Sequence, residues 1–329
     1  MYHQLTSEQR SQIFALLQKK IARKEIALLV GCSQSTLSRE IRRNSTDKGN
    51  YLWDKAHAKA LERRKRATVN SAKDPAIVWE ALDLLKKEDW SPQQISADMG
   101  KRGKSISHEL IYRYIRADRT GELASHCRHK MKYNRHGRPD RTTKVRNIPD
   151  RVSIHQRPAE ADGMRFGDWE MDTIVGKDGK GAIVTLTERS SNMILMERLP
   201  QGKHPEPLAK VVIRLLFPYR HTIKSITTDN GSEFCAHKLI SKALAPKGTK
   251  NPNLVFFADS YSSWQKGAIE NANKLIRQYI PKGTDFSTLT DAFIQKVQHK
   301  LNRRPRKKLN FESPKKIFFQ QIANFALVS

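Results

Sequence analysis

The stretch GDWEMDTIVG, residues 167–176, decides the fold expected for the C-terminal half of the chain. Trp169 and Met171 alternate with Glu170 and Asp172, and alternation with a period of two is typical of a β-strand. The glycines at both ends bound the strand. An acidic side chain in the middle of a strand costs free energy unless something compensates its charge. Asp172 is therefore a candidate functional residue.

The pattern that follows this strand predicts an α/β domain over residues 158–329. Three sequential strands come first, and helices and strands then alternate, which indicates a mixed sheet with flanking helices. That order is compatible with an RNase H-like fold. Strands are expected over 169–175, 182–186, 193–199, 223–228 and 254–257, and helices over 206–217, 233–244, 270–279 and 289–301.

The N-terminal part predicts an all-α helix-turn-helix domain over residues 1–67. Apolar residues recur at helical spacing over 6–18, 24–30 and 34–43, and a basic helix follows over 55–67. The tight turn before Ser33, which contains a glycine, is typical of a helix-turn-helix. Polar groups on the third helix suit base edges and phosphates in a major groove. The candidate DNA-binding residues are Gln34, Ser35, Ser38, Arg39 and Arg42. The alternative is a plain three-helix bundle with a solvated face.

Two further segments separate this domain from the sheet. Residues 68–116 repeat the helical pattern, with Ser91 and Ser107 as helix caps, and predict a second helix-turn-helix-like domain. Residues 117–157 are rich in Arg, Lys and His and predict a basic linker, either a solvated tether or a strap along DNA. The chain's three cysteines are scattered, so the segment around Cys127 does not predict a metal cluster.

The charge balance points to a nucleic-acid partner. Lys and Arg number 61 against 33 Asp and Glu, a formal net charge of +28. A charge excess of this size destabilises a compact chain unless an anion neutralises it, and duplex DNA supplies closely spaced phosphates. A ribosome-like or membrane-surface protein is the less favoured alternative. No apolar run is long enough to span a membrane and no signal peptide is recognised, so a cytoplasmic, nucleoid-associated location is expected.

Two more carboxylates join Asp172 as candidates. Asp229 follows an apolar strand, at the end where α/β sheets place ligand-binding groups, and Glu270 opens a predicted helix. Three convergent carboxylates repel one another, and divalent cations with a preference for hard oxygen ligands relieve that repulsion. From the residues alone, Asp229 also fits a turn and Glu270 also fits a helix start favoured by the dipole.

At these residues the sequence resembles a known family, the insertion-sequence transposases named after insertion sequence thirty. The resemblance covers nearly the whole chain. The matching motifs are GDWE and Asp172 at 167–172, TDNGSEF at 228–234, YSSWQKG with Glu270 and Asn271 at 261–271, STLSREI at 35–41, and LIRQY with PKG at 275–283.

The resemblance implies an RNase H-like catalytic domain with Asp172, Asp229 and Glu270 as a catalytic, metal-binding triad. It also implies two Mg²⁺ ions, for which Mn²⁺ substitutes, and action on the terminal inverted repeats of the element and on target DNA. Pairing two element ends implies a homodimer or a higher oligomer. The chain departs from the family in the interval between Asp229 and Glu270, which holds 40 residues, several more than usual, and in Ser260, which replaces a proline.

Helix geometry suggests supporting residues. Lys274 and Arg277 share a helical face with Glu270, so they are candidate DNA-binding residues, although Lys274 equally fits an intrahelical ion pair with Glu270. Trp264 fits packing under its loop better than stacking on a base. The basic run 303–308 fits either a solvated charge run or a phosphate-binding arm, and the charge of the chain favours the arm. A DNA-binding regulator without catalysis and a stand-alone nuclease are the competing functions.

Overall fold

The chain forms two compact units in a computed structural model, residues 1–75 and 76–329. The structure describes residues 4–69, 73–131, 148–246, 248–250, 252–260 and 262–328. Residues 132–147 of the basic linker predicted over 117–157 therefore lie outside the described residues. Within them, no helix is long and apolar enough to cross a membrane.

The first unit is a helix-turn-helix. The side chain of Thr6 caps the first helix together with Gln9, and Gly31, in the left-handed region at φ +70°, ends the second helix. Ser33 then accepts a hydrogen bond from the Thr36 N–H and starts the third helix. The helices are α1 (Ser7–Gln18), α2 (Arg23–Val30), α3 (Gln34–Asn44) and α4 (Trp53–Val69), and their core includes Ile13, Ile26, Leu37 and Ala56.

The second unit begins with a helical part of the same design. It contains α5 (Pro75–Glu88), α6 (Pro92–Lys101), α7 (His108–Ala117) and α8 (Glu122–Ser125). Ser91 and Ser107 cap α6 and α7 as predicted. Within residues 118–131, which the composition assigned to the linker, the structure forms the short helix α8, and Leu123 and Met131 pack against this helical core. The apolar residues in this segment are few, so its composition resembled a tether.

A five-stranded mixed sheet follows, in the order β3-β2-β1-β4-β5. Its central strand β1 pairs antiparallel with β2 and parallel with β4, so the first three strands form a meander and the last two are parallel to β1. This is the topology of the RNase H-like fold, and the predicted fold class is confirmed. The strands are β1 (Asp168–Val175), β2 (Ala182–Glu188), β3 (Ile194–Leu199), β4 (Ser225–Thr228) and β5 (Val255–Phe257).

Helices cover both faces of the sheet. Trp169 and Met171 of β1 pack in one core with α9 (Pro205–Leu216) and α10 (His237–Leu244), and Phe318 of α13 (Pro314–Val328) closes that core. Ile174 of β1 packs in the opposite core with α11 (Gly267–Ile276) and α12 (Asp291–Arg303). The helix predicted over 270–279 corresponds to α11, which begins three residues earlier than predicted, so Glu270 lies in its first turn.

The structure corrects the expectation that the basic run 303–308 is a phosphate-binding arm. Arg304 is only 3% exposed. Its guanidinium donates to the Asp89 carbonyl and to the side chains of Gln278 and Tyr279, so it fastens the end of α5 to the sheet domain. Burial, with Arg304 and Arg128 close by, lowers the pKa of Arg306 to about 9. The expected phosphate-binding arm is therefore wrong for Arg304 and Arg306, which contact other parts of the protein, whereas Arg303, Lys307 and Lys308 of the same run are exposed.

Candidate active site

The three candidate carboxylates line one cavity. Asp172 is on the central strand β1, Asp229 directly follows the neighbouring parallel strand β4, and Glu270 is in the first turn of α11. The cavity has a volume of about 300 Å³, and Lys266, Ser262 and Asp259 also line it. The fold thus brings together residues that are up to 98 positions apart in the sequence.

A buried carboxylate that sequence reasoning did not single out fixes the start of α11. Glu170 is 1% exposed, and its Oε2 accepts a hydrogen bond of 2.8 Å from the Ile269 N–H. Its Oε1 lies 2.9 Å from Nε of Arg189. Burial raises the pKa of Glu170, while these two partners oppose the shift. The free N–H groups of a helix start favour a carboxylate, so Glu170 holds the turn that carries Glu270.

Asn273, one turn further along α11, holds Asp172. Its Nδ2 donates to Oδ2 of Asp172 over 2.8 Å. The hydroxyl oxygen of Thr185, opposite Asp172 in the register of β2, lies 3.0 Å from Oδ1 of Asn273. Glu170 and Asp172 therefore face the same helix, as their alternation in the strand predicts. Burial raises the pKa of Asp172, Lys266 opposes this, and Asp229 adds to it.

The turn after β4 is shaped by a second buried acid. Glu233 accepts hydrogen bonds from the Thr173 hydroxyl at 2.8 Å and from Nζ of Lys203 at 2.7 Å. Burial alone would raise the pKa of Glu233, but these contacts hold it below its ordinary value. A Cβ at Gly231 would lie 2.6 Å from the Glu233 carboxylate, so a side chain at this position would displace that carboxylate from its contacts. Asp229 accepts from the Gly231 N–H and is oriented by this turn.

The ammonium group of Lys266 lies between the two aspartates. Its Nζ is 3.2 Å from Oδ2 of Asp229 and 3.7 Å from Oδ1 of Asp172. Glu270 instead pairs with Lys274 at 3.2 Å. Among the described residues, no group of three or more His, Cys, Asp or Glu side chains is arranged so that it could hold one metal ion.

The donor set still fits a divalent cation. The cavity offers carboxylate oxygens, the hard ligands that Mg²⁺ prefers, and a cationic group already lies between two of them. Asp172, Asp229 and Glu270 are the residues that would hold the metal.

The predicted DNA-binding residues fall into two groups. On α3, the side chains of Gln34, Ser35, Ser38, Arg39 and Arg42 are all exposed. Near the cavity, Lys274 is exposed but makes the intrahelical pair with Glu270, whereas the Arg277 guanidinium donates to the Pro281 carbonyl and is partly buried. Trp264 is 75% exposed, so the favoured interpretation of packing under its loop is wrong. DNA contact by any of these residues stays a prediction.

The sheet and its helices define an RNase H-like protein, and comparison with known proteins narrows this class. A family profile described as "Helix-turn-helix domain" matches residues 1–44. The transposase for insertion sequence element IS4351 of Bacteroides fragilis is 39% identical over 328 residues, covering 98% of this chain and 97% of that protein. Together with the IS30A relative described next, this similarity shows that the chain belongs to the family of insertion-sequence transposases named after insertion sequence thirty.

Two more similarities complete the comparison. The transposase InsI for insertion sequence element IS30A of Escherichia coli K12 is 32% identical over 341 residues, covering 97% of this chain and 84% of that protein. Among solved structures, the catalytic core domain of BIV integrase is 18% identical with a TM-score of 0.36, and the match covers 49% of this chain and 98% of that core.

Proposed function

We propose that this protein is a transposase that binds the terminal inverted repeats of its own insertion sequence and catalyses metal-dependent DNA cleavage and strand transfer. The observation that carries the proposal is the convergence of Asp172, Asp229 and Glu270 on one cavity of an RNase H-like sheet. Membership in a transposase family supports the substrate class. We further propose that a homodimer or higher oligomer acts on element ends and target DNA in the nucleoid.

The three carboxylates are the proposed ligands of two Mg²⁺ ions, for which Mn²⁺ can substitute. When bound, such a pair of ions activates an attacking oxygen and stabilises the leaving oxygen of a phosphodiester. Asp172 supplies its charge from a rigid central strand, where Asn273 and Thr185 fix the orientation of its carboxylate. Glu170 anchors the helix start that presents Glu270. Hydrogen bonds to metal-binding carboxylates orient these groups and tune their affinity for the metal.

The N-terminal unit is proposed to deliver the DNA. Its α3 exposes three arginines, at positions 39, 42 and 43, and three neutral polar side chains, which is the composition of a recognition helix in a major groove. Separate modules for binding and for chemistry predict that the two activities can be lost independently.

Cleavage of labelled terminal-repeat DNA by the full chain tests this function. We expect strand cleavage with Mg²⁺ or Mn²⁺ and none with excess chelator. Ca²⁺ should permit DNA binding with little turnover, because its larger and looser coordination shell positions the reacting oxygens poorly. Cleavage in chelator would refute the metal requirement. Specific binding of the repeat without cleavage in any metal would instead identify a catalytically inert DNA-binding regulator.

A further inference from the structure

We propose that Lys266 is an internal counter-ion that occupies the space between Asp172 and Asp229 in the metal-free protein and competes with the divalent cation for their oxygens. This inference rests on the proposed metal site. Lys266 is 9% exposed, and its Nζ approaches one carboxylate oxygen of each aspartate, at 3.2 Å and 3.7 Å.

Electrostatics explains why a lysine is placed there. Two carboxylates that face one cavity repel each other, and Asp229 adds to the raised pKa of Asp172 whereas Lys266 opposes it. Burial of an ammonium group also costs free energy unless a carboxylate pairs with it. The lysine and the two aspartates therefore stabilise one another, and the aspartates keep their convergent arrangement before any metal arrives.

The residues on both sides of Lys266 are held by hydrogen bonds, so we expect its ammonium to leave the aspartates by rotation of the lysine side chain. Gln265, the preceding residue, exchanges hydrogen bonds of 2.8 and 2.9 Å with Asp259. Gly267, the following residue, begins α11, whose second and third residues, Ala268 and Ile269, donate their N–H groups to Glu170. The flexible four-carbon stem of lysine allows the ammonium to move away from the aspartates while the hydrogen bonds of the neighbouring residues stay intact.

Lys274 offers a matched control. Its Nζ also pairs with a proposed ligand, Glu270, at 3.2 Å, but it is exposed and lies outside the space between the aspartates. Loss of either lysine removes one positive charge from beside a proposed metal ligand. A general electrostatic effect would therefore appear in both variants, whereas competition for the aspartate oxygens would appear only at Lys266.

The test measures the binding of Mn²⁺ to the full chain without DNA. The electron paramagnetic resonance signal of free Mn²⁺ reports how much of the ion remains unbound. Lys266→Met should bind Mn²⁺ about tenfold more tightly than the wild type, where tenfold corresponds to about 1.4 kcal/mol. Lys274→Met should change the affinity by less than about threefold, since its ammonium contacts Glu270 and not the aspartate oxygens. Lys266→Arg, which keeps the cation, should bind no more tightly than the wild type.

Thermal unfolding gives an independent readout. Without metal, Lys266→Met should unfold at a lower temperature than the wild type because the aspartates then repel without a counter-ion, and saturating Mn²⁺ should remove most of that deficit. Unchanged or weaker Mn²⁺ binding by Lys266→Met would overturn the counter-ion proposal alone. Mn²⁺ binding that survives Asp172→Asn unchanged, or no saturable binding by any variant, would overturn the proposed metal site as well.

Discussion

Arginines in equally basic stretches of this chain differ in burial and in hydrogen bonding. Arg39 lies on the exposed side of α3 and has no hydrogen bond or ion pair within the part of the chain that the structure describes. Arg304 lies in an equally basic stretch but is buried and donates to three oxygen acceptors. Charge alone does not separate the two cases. What separates them is whether acceptors from distant parts of the chain reach the guanidinium.

The free guanidinium of Arg39 leads to a prediction about DNA recognition. If Arg39 reads a guanine, Arg39→Ala should weaken binding to terminal-repeat DNA by about 1–3 kcal/mol, with a smaller loss on random DNA. Gel-shift titration on the two duplexes measures the difference. Arg23→Ala, which removes an exposed arginine from α2 of the same unit, is the control for loss of charge. An equal loss on both duplexes would mean that Arg39 contacts only phosphate.

At the scale of secondary structure, α11 organises the candidate site. Its first turn carries Glu270, its amide at Ile269 is capped by Glu170 from β1, and Asn273 reaches back to Asp172 on the same strand. Two contacts between one strand and one helix therefore set the distance between two proposed ligands. Because the contacts are hydrogen bonds of defined direction, they fix orientation as well as distance.

This arrangement predicts the effect of removing one orienting group. Asn273→Ala frees the Asp172 carboxylate and should lower the cleavage rate or the metal affinity about 10–100-fold, the usual effect of losing a partner of a metal ligand. Terminal-repeat binding should be unchanged. Asn253→Ala, which changes an exposed asparagine outside the cavity and the quoted motifs, serves as the control. Rates measured over a series of Mn²⁺ concentrations check this, and equal rates for the two variants would contradict it.

The sequence was most informative where the structure is local. The caps Ser91 and Ser107 were predicted correctly because each lies beside the helix it starts. The start of α11 was placed late because the residues that cap it come from β1, 99 positions earlier. Local periodicity carries no information about such contacts, and for the same reason Glu170, Asn273 and Lys266 were not singled out.

The candidate triad itself was recognised by a different route. Each carboxylate alone had an ordinary structural explanation, and only the family resemblance selected the three together. The structure adds that they line one cavity. The resemblance could not reveal that an ammonium lies between two of them, because that arrangement depends on side-chain packing that a motif does not encode.

At the scale of the whole molecule, the net charge of +28 is the dominant feature. Some of this charge is used internally, as at Arg304 and Lys266, but exposed arginines and lysines remain on both units. Contacts to DNA phosphates release counter-ions, so affinity falls as salt concentration rises. A chain of this charge should depend on that effect more than on burial of apolar surface.

The expected result is a steep salt dependence of DNA binding. The logarithm of the binding constant should fall linearly with the logarithm of salt concentration, with a slope of about −0.9 for each phosphate neutralised. For six to ten phosphate contacts, affinity should fall about 10³–10⁵-fold between 50 and 200 mM salt. Titrations of the full chain on terminal-repeat DNA measure this slope. A slope near zero would show that the charge excess does not serve DNA binding.

The most direct test of the account is a paired measurement of cleavage and binding on one labelled terminal repeat. Asp172→Asn, Asp229→Asn and Glu270→Gln each keep the shape of the side chain but remove one negative charge that the metal ions need. The matched control is Glu206→Gln, which removes an exposed acid from the first turn of α9, as Glu270→Gln does in α11. Each triad variant should lose cleavage by several orders of magnitude while binding the repeat as the wild type does, and Glu206→Gln should retain both activities. Near-normal cleavage by any one of the three variants would contradict the assignment of that residue and with it the central claim.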